Sequence, residues 1–135
     1  MIEHETKIRV CYADTDKLGV VYYGNYPRFY EIARTEFLRS TGVTYKEIED
    51  SGIVLPVRSM NITYFKPAYY DDLLTVKTII EEPPTVKLKI KSEIYNEKQE
   101  LINTSDIVLA FTNASNGRPT RPPEKFMQAV EHLLQ

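Results

Sequence analysis

The chain has 135 residues, of which 42% are hydrophobic and 27% charged, a composition typical of one globular domain and not of a disordered chain. Its net charge of −2 excludes the basic excess of a nucleic-acid-binding protein, and no apolar run approaches the roughly 20 residues of a membrane helix. We expect a single domain over 1–135 with no nucleic-acid partner and no membrane span. Because the N-terminus lacks the pattern of a signal peptide, we also expect a cytoplasmic location.

One cysteine and two histidines limit the available chemistry. A disulfide within the chain is impossible, and structural zinc sites need about four Cys or His ligands, so no metal site is expected. His4 and His132 lie near the two ends of the chain, away from the expected core, which favours a carboxylate over a histidine as the catalytic group. Cys11 lies between Val10 and Tyr12 in a strand-like run and is expected to be buried.

Apolar and polar residues alternate over 6–12, which predicts a first strand. An irregular loop over 12–24 follows. Asn25 is a favourable N-cap and Pro27 fits a first turn, so a helix of roughly four turns is predicted from there to Gly42. One face of this helix is apolar and is made by Tyr26, Phe29, Tyr30, Ala33 and Phe37.

The second half of the chain is predicted to be mostly strand. Thr44 and Glu47 form a capping-box pattern that opens a short helix ending by Gly52. Four strands are predicted over 58–64, 74–80, 86–91 and 101–111, separated by turns rich in Pro, Asp and Asn. A C-terminal helix is predicted to begin near Pro123.

This order of elements predicts an α+β fold, in which one long central helix packs on a five-stranded antiparallel sheet, with a short C-terminal helix. The strands are antiparallel because their connections are too short for parallel crossovers. Nothing in the chain is large enough to cover the second face of the sheet. Another subunit is therefore expected to cover that face.

The loop before the long helix carries two carboxylates, Asp14 and Asp16. The first amides of a helix have no partner within the helix, and they can hold a carbonyl oxygen as it gains negative charge. A carboxylate close to them can attack the carbonyl carbon or deprotonate a water molecule that does so. The alternative is that both residues only form Asx turns and that the loop has no catalytic role.

Two other uses of an Asp-x-Asp pattern fit less well. A calcium loop would place an oxygen ligand at Leu18 and a Glu at Asn25, so that interpretation fails. A phosphotransferase loop of the haloacid-dehalogenase kind belongs to folds with a parallel sheet, and four consecutive strands argue against such a fold.

The loop resembles a known family. The motif is Asp14-x-Asp16-x-x-Gly19-Val20-Val21-Tyr22-Tyr23-x-Asn25-Tyr26, followed by Phe29 and Glu31. It is similar to that of the 4-hydroxybenzoyl-CoA thioesterase-like branch of the hotdog-fold acyl-CoA thioesterase superfamily. The turn over 66–73 and the strand pattern extend the resemblance over most of the chain. The resemblance implies a hotdog fold, with active sites at the interface of a dimer or of a dimer of dimers.

The resemblance also implies roles for individual residues. Asp16 matches the catalytic carboxylate, and Asp14 the structural member of the pair. The backbone amide of Tyr23 matches the group that polarises the thioester carbonyl, and the amide of Gly24, beside the substrate pocket, is a second candidate. Glu31 matches a pocket residue that contacts the acyl group; a solvated helix charge is the alternative.

Basic residues are candidates for the phosphate groups of coenzyme A. We select Lys89 and Lys91 on one face of a strand, and Arg118 and Arg121 beside the final turn. An ordinary solvated strand face is the alternative for the two lysines.

These patterns predict an acyl-CoA thioesterase, a hydrolase that converts acyl-S-CoA to a carboxylic acid and free coenzyme A. Asp16 acts as a nucleophile through a mixed anhydride or as a general base on water, and both roles stay open. No cofactor is expected apart from the coenzyme A of the substrate. Homo-oligomerisation, with a homotetramer as one form, is expected. The alternatives are an acyl-carrier-protein thioesterase and a non-catalytic acyl-CoA-binding protein of the same fold.

Overall fold

The computed structural model describes residues 1–135 and confirms the predicted α+β architecture. Its helices are α1 (Tyr26–Ser40), α2 (Tyr45–Asp50) and α3 (Glu124–Leu134). Its strands are β1 (Ile2–Arg9), β2 (Ile53–Val54), β3 (Val57–Tyr64), β4 (Leu73–Ile80), β5 (Lys87–Tyr95), β6 (Leu101–Ala110) and β7 (Thr112–Asn113). No helix is long and apolar enough to cross a membrane.

Five strands form one antiparallel sheet in the order β1-β4-β5-β6-β3. The consecutive strands β4, β5 and β6 are neighbours, as their short connections require. Strand β3 forms one edge of the sheet, next to β6. The short strands β2 and β7 form a separate pair that the sequence patterns do not predict.

The core lies between α1 and the inner face of the sheet. The predicted apolar face of α1 is buried, and Phe29 and Ala33 are completely enclosed. Alternate residues of β4 and β5 face this helix, which is why those strands show a strict period of two in burial. The helix ends at Ser40, just before Gly42, as predicted. The cap of α2 is also as predicted, because Thr44 Oγ1 accepts a hydrogen bond from Glu47 N.

The outer face of the sheet is charged, which changes the argument for oligomerisation. Neighbouring strands place Glu5 beside Lys77, Lys77 beside Glu93, and Lys91 beside Asp106. Cross-strand pairs of opposite charge are stable in water, so these pairs do not by themselves require a covering subunit. The expectation that another subunit covers this face stays a prediction.

Two residues near the N-terminus differ from expectation. His4 lies within β1 and not in a tail, and its ring packs edge-on against Phe37 of α1 with 6.1 Å between ring centroids. Cys11 is exposed, although burial was expected. The reason is that β1 ends at Arg9, so Cys11 lies in the turn that leaves the sheet.

A row of polar side chains crosses the apolar inner face. Thr78, Ser92 and Ser105 are register partners on β4, β5 and β6, and each is at least 96% buried. Thr78 Oγ1 and Ser105 Oγ have no hydrogen-bond partner. Buried hydroxyls without a partner reduce stability because they lose their hydrogen bonds to water.

We predict that Thr78→Val raises the free energy of unfolding by about 1 kcal/mol, since valine has the same shape and no hydroxyl to desolvate. Urea unfolding of the variant and the parent measures the difference. The matched control is Thr75→Val on the outer face of β4, where the hydroxyl accepts a hydrogen bond from Lys7 Nζ and no gain is expected. A loss of stability in Thr78→Val would contradict the prediction.

Candidate active site

The loop between β1 and α1 is organised around Asp14, which is 4% exposed. One oxygen of its carboxylate accepts a hydrogen bond from Cys11 N at 2.8 Å, and the other pairs with the guanidinium group of Arg28 on α1. Its backbone carbonyl accepts hydrogen bonds from Tyr22 N at 2.9 Å and from Asn25 Nδ2 at 2.8 Å. Asp14 therefore joins the end of β1, the loop and the start of α1.

The side chain of Asn25 thus has a different role from the N-cap that the sequence predicts. It donates to the Asp14 carbonyl and does not accept a hydrogen bond from the first amides of α1. The consequence for the site is that no side chain caps the N-terminus of this helix.

Asp16 lies in a tight turn of the same loop. Its backbone N–H donates to Val20 O at 2.9 Å, and the turn closes through Gly19, whose φ of 83° lies in the left-handed region that favours glycine. The carboxylate accepts a single hydrogen bond within the chain, from Leu18 N at 2.8 Å to Oδ1. Oδ2 thus stays free to act on a substrate.

The N-terminus of α1 presents two unpaired amides. A short 3₁₀ turn, Tyr23–Asn25, leads into the helix, and neither Tyr23 N–H nor Gly24 N–H donates to an acceptor in the chain. At Gly24 a Cβ atom would lie 2.6 Å from the ring of Tyr22, so a larger residue would displace that ring. The pKa of Tyr22 is raised chiefly by the Tyr23 hydroxyl, then by partial desolvation, with the smallest contribution from the charge of Asp16. The hydrogen bond from Asp16 N to Val20 O and the bridge between Thr15 and Val21 hold Asp16 against the segment that leads into the two amides, at the end of the helix where its dipole favours negative charge.

An aromatic cleft of about 320 Å³ lies beside these amides. Its lining residues are Val21, Tyr23, Tyr26, Tyr64, Phe65, Lys66 and Pro67. Burial raises the pKa of Tyr26 to about 12, so its hydroxyl is neutral at physiological pH. Tyr26 both fills the core and forms the inner wall of the cleft.

A polar groove of about 550 Å³ adjoins the cleft and shares Lys66 and Pro67 with it. Lys66 pairs with Glu100, and this hydrogen bond lowers the pKa of Glu100. Three residues of the candidate site were not predicted from the sequence: Tyr64, Phe65 and Lys66. In the sequence they only follow one another at and just after the predicted end of β3.

The other candidate residues do not meet Asp16 within one chain. Glu31 is exposed on α1 and does not line the cleft. Burial lowers the pKa of the Arg34 guanidinium, and the charge of Glu31 partly offsets this. Lys89 is the register partner of Val108, five residues along β6 from the partner of Tyr64, so it lies roughly 16 Å further along the sheet.

The remaining basic candidates lie at the same far end. Lys91 forms an ion pair with Glu81 at 2.9 Å. Arg118 and Arg121 follow the end of β6, where Thr120 N donates to Phe111 O. One chain thus holds the two carboxylates and the amides at one end and the four basic candidates at the other.

Comparison with known proteins points to one family. A family model for the thioesterase-like superfamily matches residues 10–130. The acyl-CoA thioester hydrolase YbgC of Escherichia coli O6:H1 (strain CFT073) is 32% identical over 120 residues, covering 89% of this chain and 90% of that protein. A DHNA-CoA thioesterase structure from Staphylococcus aureus has a TM-score of 0.93 at 34% identity, covering 98% of this chain and 91% of that chain.

A further structure shows the same fold at lower identity. It is a mutant of 4-hydroxybenzoyl-CoA thioesterase complexed with 4-hydroxybenzoyl-CoA, with a TM-score of 0.84 at 22% identity, covering 94% of this chain and 97% of that chain. The similarity thus extends over the loop, α1 and the whole sheet.

The two carboxylates of the loop are predicted to differ in their effect on stability. Asp14→Asn loses the charged pair with Arg28 at a buried position and should lower the free energy of unfolding by about 1.5–3 kcal/mol. Asp16→Asn keeps an oxygen for Leu18 N and should change it by less than about 0.5 kcal/mol. Urea unfolding of both variants tests this contrast, and equal effects would show that Asp14 is not the organising residue.

Proposed function

Because the chain belongs to the thioesterase-like superfamily, it is a thioester hydrolase, and we propose that Asp16 and the amides of Tyr23 and Gly24 form its catalytic centre. Its overall activity is that of an acyl-CoA thioesterase, as the resemblance implies. The observation that carries the assignment of the centre is the juxtaposition of a carboxylate with a free oxygen and two unpaired amides at a helix N-terminus.

The reaction follows from this geometry. The thioester carbonyl oxygen accepts hydrogen bonds from the two amides, which stabilise its negative charge in the transition state. Asp16 Oδ2 then either attacks the carbonyl carbon or removes a proton from a water molecule that attacks it. In the first case the C–S bond breaks to release coenzyme A as a thiolate, and water hydrolyses the mixed anhydride. In the second case the deprotonated water adds to the carbonyl carbon, the C–S bond breaks to release the coenzyme A thiolate, and the proton held by Asp16 passes to that thiolate.

The alternatives from the sequence are less favoured. The named relatives act on CoA thioesters, which speaks against a carrier-protein thioesterase. A protein that only binds acyl-CoA has no use for a carboxylate beside the reacting carbon. The cytoplasmic location and the absence of a cofactor stay predictions.

We propose that the aromatic cleft holds the acyl group. It opens directly beside Tyr23, and the rings of Tyr26, Tyr64 and Phe65 form most of its apolar wall. Flat aromatic acyl groups pack favourably against such rings. The S. aureus DHNA-CoA thioesterase at 34% identity supports an aryl-CoA substrate for this chain.

We also propose that the active unit is a dimer, or a dimer of dimers, joined through β3. This edge strand has unpaired backbone groups and is exposed along most of its length. Antiparallel pairing of two β3 strands about a two-fold axis reverses the partner sheet. The partner's far end, with its Lys89, Lys91, Arg118 and Arg121, then lies on the side where the first chain has Asp16. This arrangement brings the end of the partner sheet that carries the proposed phosphate-binding residues toward the site, with Lys89 and Lys91 on the outer face of that sheet.

We predict that Asp16→Asn lowers the turnover number by about a thousandfold or more, because the amide is neither a nucleophile nor a base. A thiol-release assay over short, long and aromatic acyl-CoA esters measures it, with the highest parent rates expected for aromatic esters. Sedimentation of the variant controls for folding and assembly. Near-normal turnover by a folded Asp16→Asn variant would rule out the mechanism.

Subunit mixing tests whether the site is shared. Lys89→Ala/Lys91→Ala should raise KM for acyl-CoA, by about tenfold for the loss of two charge-assisted contacts. Mixed with Asp16→Asn, it should form heterodimers in which one of the two sites has both an intact Asp16 and intact lysines. Activity at low substrate above the sum of the two separate variants is therefore expected. A simple sum, or a monomer by sedimentation, would contradict the shared site.

A further inference from the structure

The two amides of the proposed centre belong to peptide units that are held by different groups. The Tyr22 carbonyl, in the same peptide unit as Tyr23 N–H, accepts a hydrogen bond from Asn25 N at 2.9 Å. The Tyr23 carbonyl, in the same unit as Gly24 N–H, accepts one from the hydroxyl of Tyr64 at 2.9 Å. The first contact is part of the local 3₁₀ turn, whereas the second reaches across to β3.

This second contact controls the direction of the Gly24 N–H group. A peptide unit is planar and trans, so a carbonyl that is held in one direction makes its N–H point the opposite way. Gly24 has no side chain to restrict its own backbone, and its N–H donates to nothing else in the chain. A hydrogen bond to the carbonyl also polarises the amide and strengthens it as a donor.

The ring of Tyr64 is itself held in place. It packs edge-on against Tyr26, with 5.4 Å between ring centroids, and Tyr26 is 2% exposed. At the backbone, Tyr64 pairs with Asn103 of β6. One side of the ring and its backbone are thus held by neighbours, while the rest of the side chain is exposed.

We infer that Tyr64 is a positioning residue for the hydrolysis, one that aligns the Tyr23–Gly24 peptide so that Gly24 N–H points at the thioester oxygen. The inference rests on the proposed function of this site. The hydroxyl of Tyr64 does not touch the reacting atoms and acts only through the Tyr23–Gly24 peptide. Tyr64 also lines the aromatic cleft, so a contribution to substrate packing has to be separated from the alignment of the peptide.

Tyr64→Phe separates the two, because it keeps the ring in the cleft and removes only the hydroxyl. We expect kcat to fall about tenfold, the effect of losing one well-aligned hydrogen bond, while KM changes by less than about twofold. The affinity for an S-alkyl coenzyme A thioether, which lacks the carbonyl, should not change. Tyr70→Phe, at an exposed ring outside the cleft, is the matched control and should keep the parent kinetics.

A measurement that does not depend on activity uses the glycine content of the chain. There are five glycines, so ¹⁵N-glycine labelling gives five amide signals in an NMR spectrum. In Tyr64→Phe the Gly24 signal should move, because its peptide unit loses a hydrogen bond. The signals of Gly42, Gly52 and Gly117 should stay in place, and they show that the variant is folded.

An unchanged Gly24 signal, or an unchanged kcat, would overturn the inference. A rise in KM with weaker thioether binding and constant kcat would overturn it as well, because Tyr64 would then only pack against the substrate. A parent enzyme that hydrolyses no thioester would instead refute the proposed function. In that case the Gly24 signal still decides whether Tyr64 holds this peptide.

Discussion

The site depends on the buried interactions of Asp14. Its carboxylate meets the chain as it leaves β1 and meets Arg28 on α1, while its carbonyl holds the loop at Tyr22 and Asn25. A buried carboxylate is costly unless its oxygens are satisfied, so these contacts have to form together. The position of the helix N-terminus relative to the loop is therefore fixed before any substrate binds. Asp16 follows Asp14 by two residues, so its position relative to the helix N-terminus is fixed as well.

Such a scaffold suits the proposed mechanism, which uses neither a histidine nor a cysteine. The groups proposed to stabilise the oxyanion are backbone amides, which need no particular side chain and no protonation state. They need only amides that no acceptor in the chain occupies, and the N–H groups of Tyr23 and Gly24 meet this condition. The chemistry then requires one further group, a carboxylate with a free oxygen. A mechanism that needs only a carboxylate and backbone amides is consistent with a chain of 135 residues that has only two histidines.

Local patterns predicted most of the fold and the central part of the site. The period of two located three of the five main strands to within one residue at each end, and the apolar face of α1 identified the core, because both depend on neighbours within one element. The spacing of Asp16 from the helix start pointed, for the same reason, to the loop that is proposed to be catalytic. Tyr64 was missed because its contact with Tyr23 joins residues 41 positions apart. The large distance of Lys89 from Asp16 was not predicted, because it depends on the register between strands, and the residues of one strand do not reveal that register.

Edge strand β3 links the candidate site of one chain to the neighbour that pairs with its open edge. Tyr64 is the last residue of that strand, and its hydroxyl is bonded to the peptide that carries Gly24 N–H. The groups along the open side of β3 lack partners, and this edge is joined to the rest of the sheet only through β6. Strands with one free edge open more readily than paired ones, because fewer hydrogen bonds hold them. Pairing of β3 with a second copy would therefore stiffen the strand from which Tyr64 reaches the site. Pairing of the two β3 strands, which would bring the partner's basic residues closer, would thus also hold the Gly24 amide that is proposed to bind the substrate.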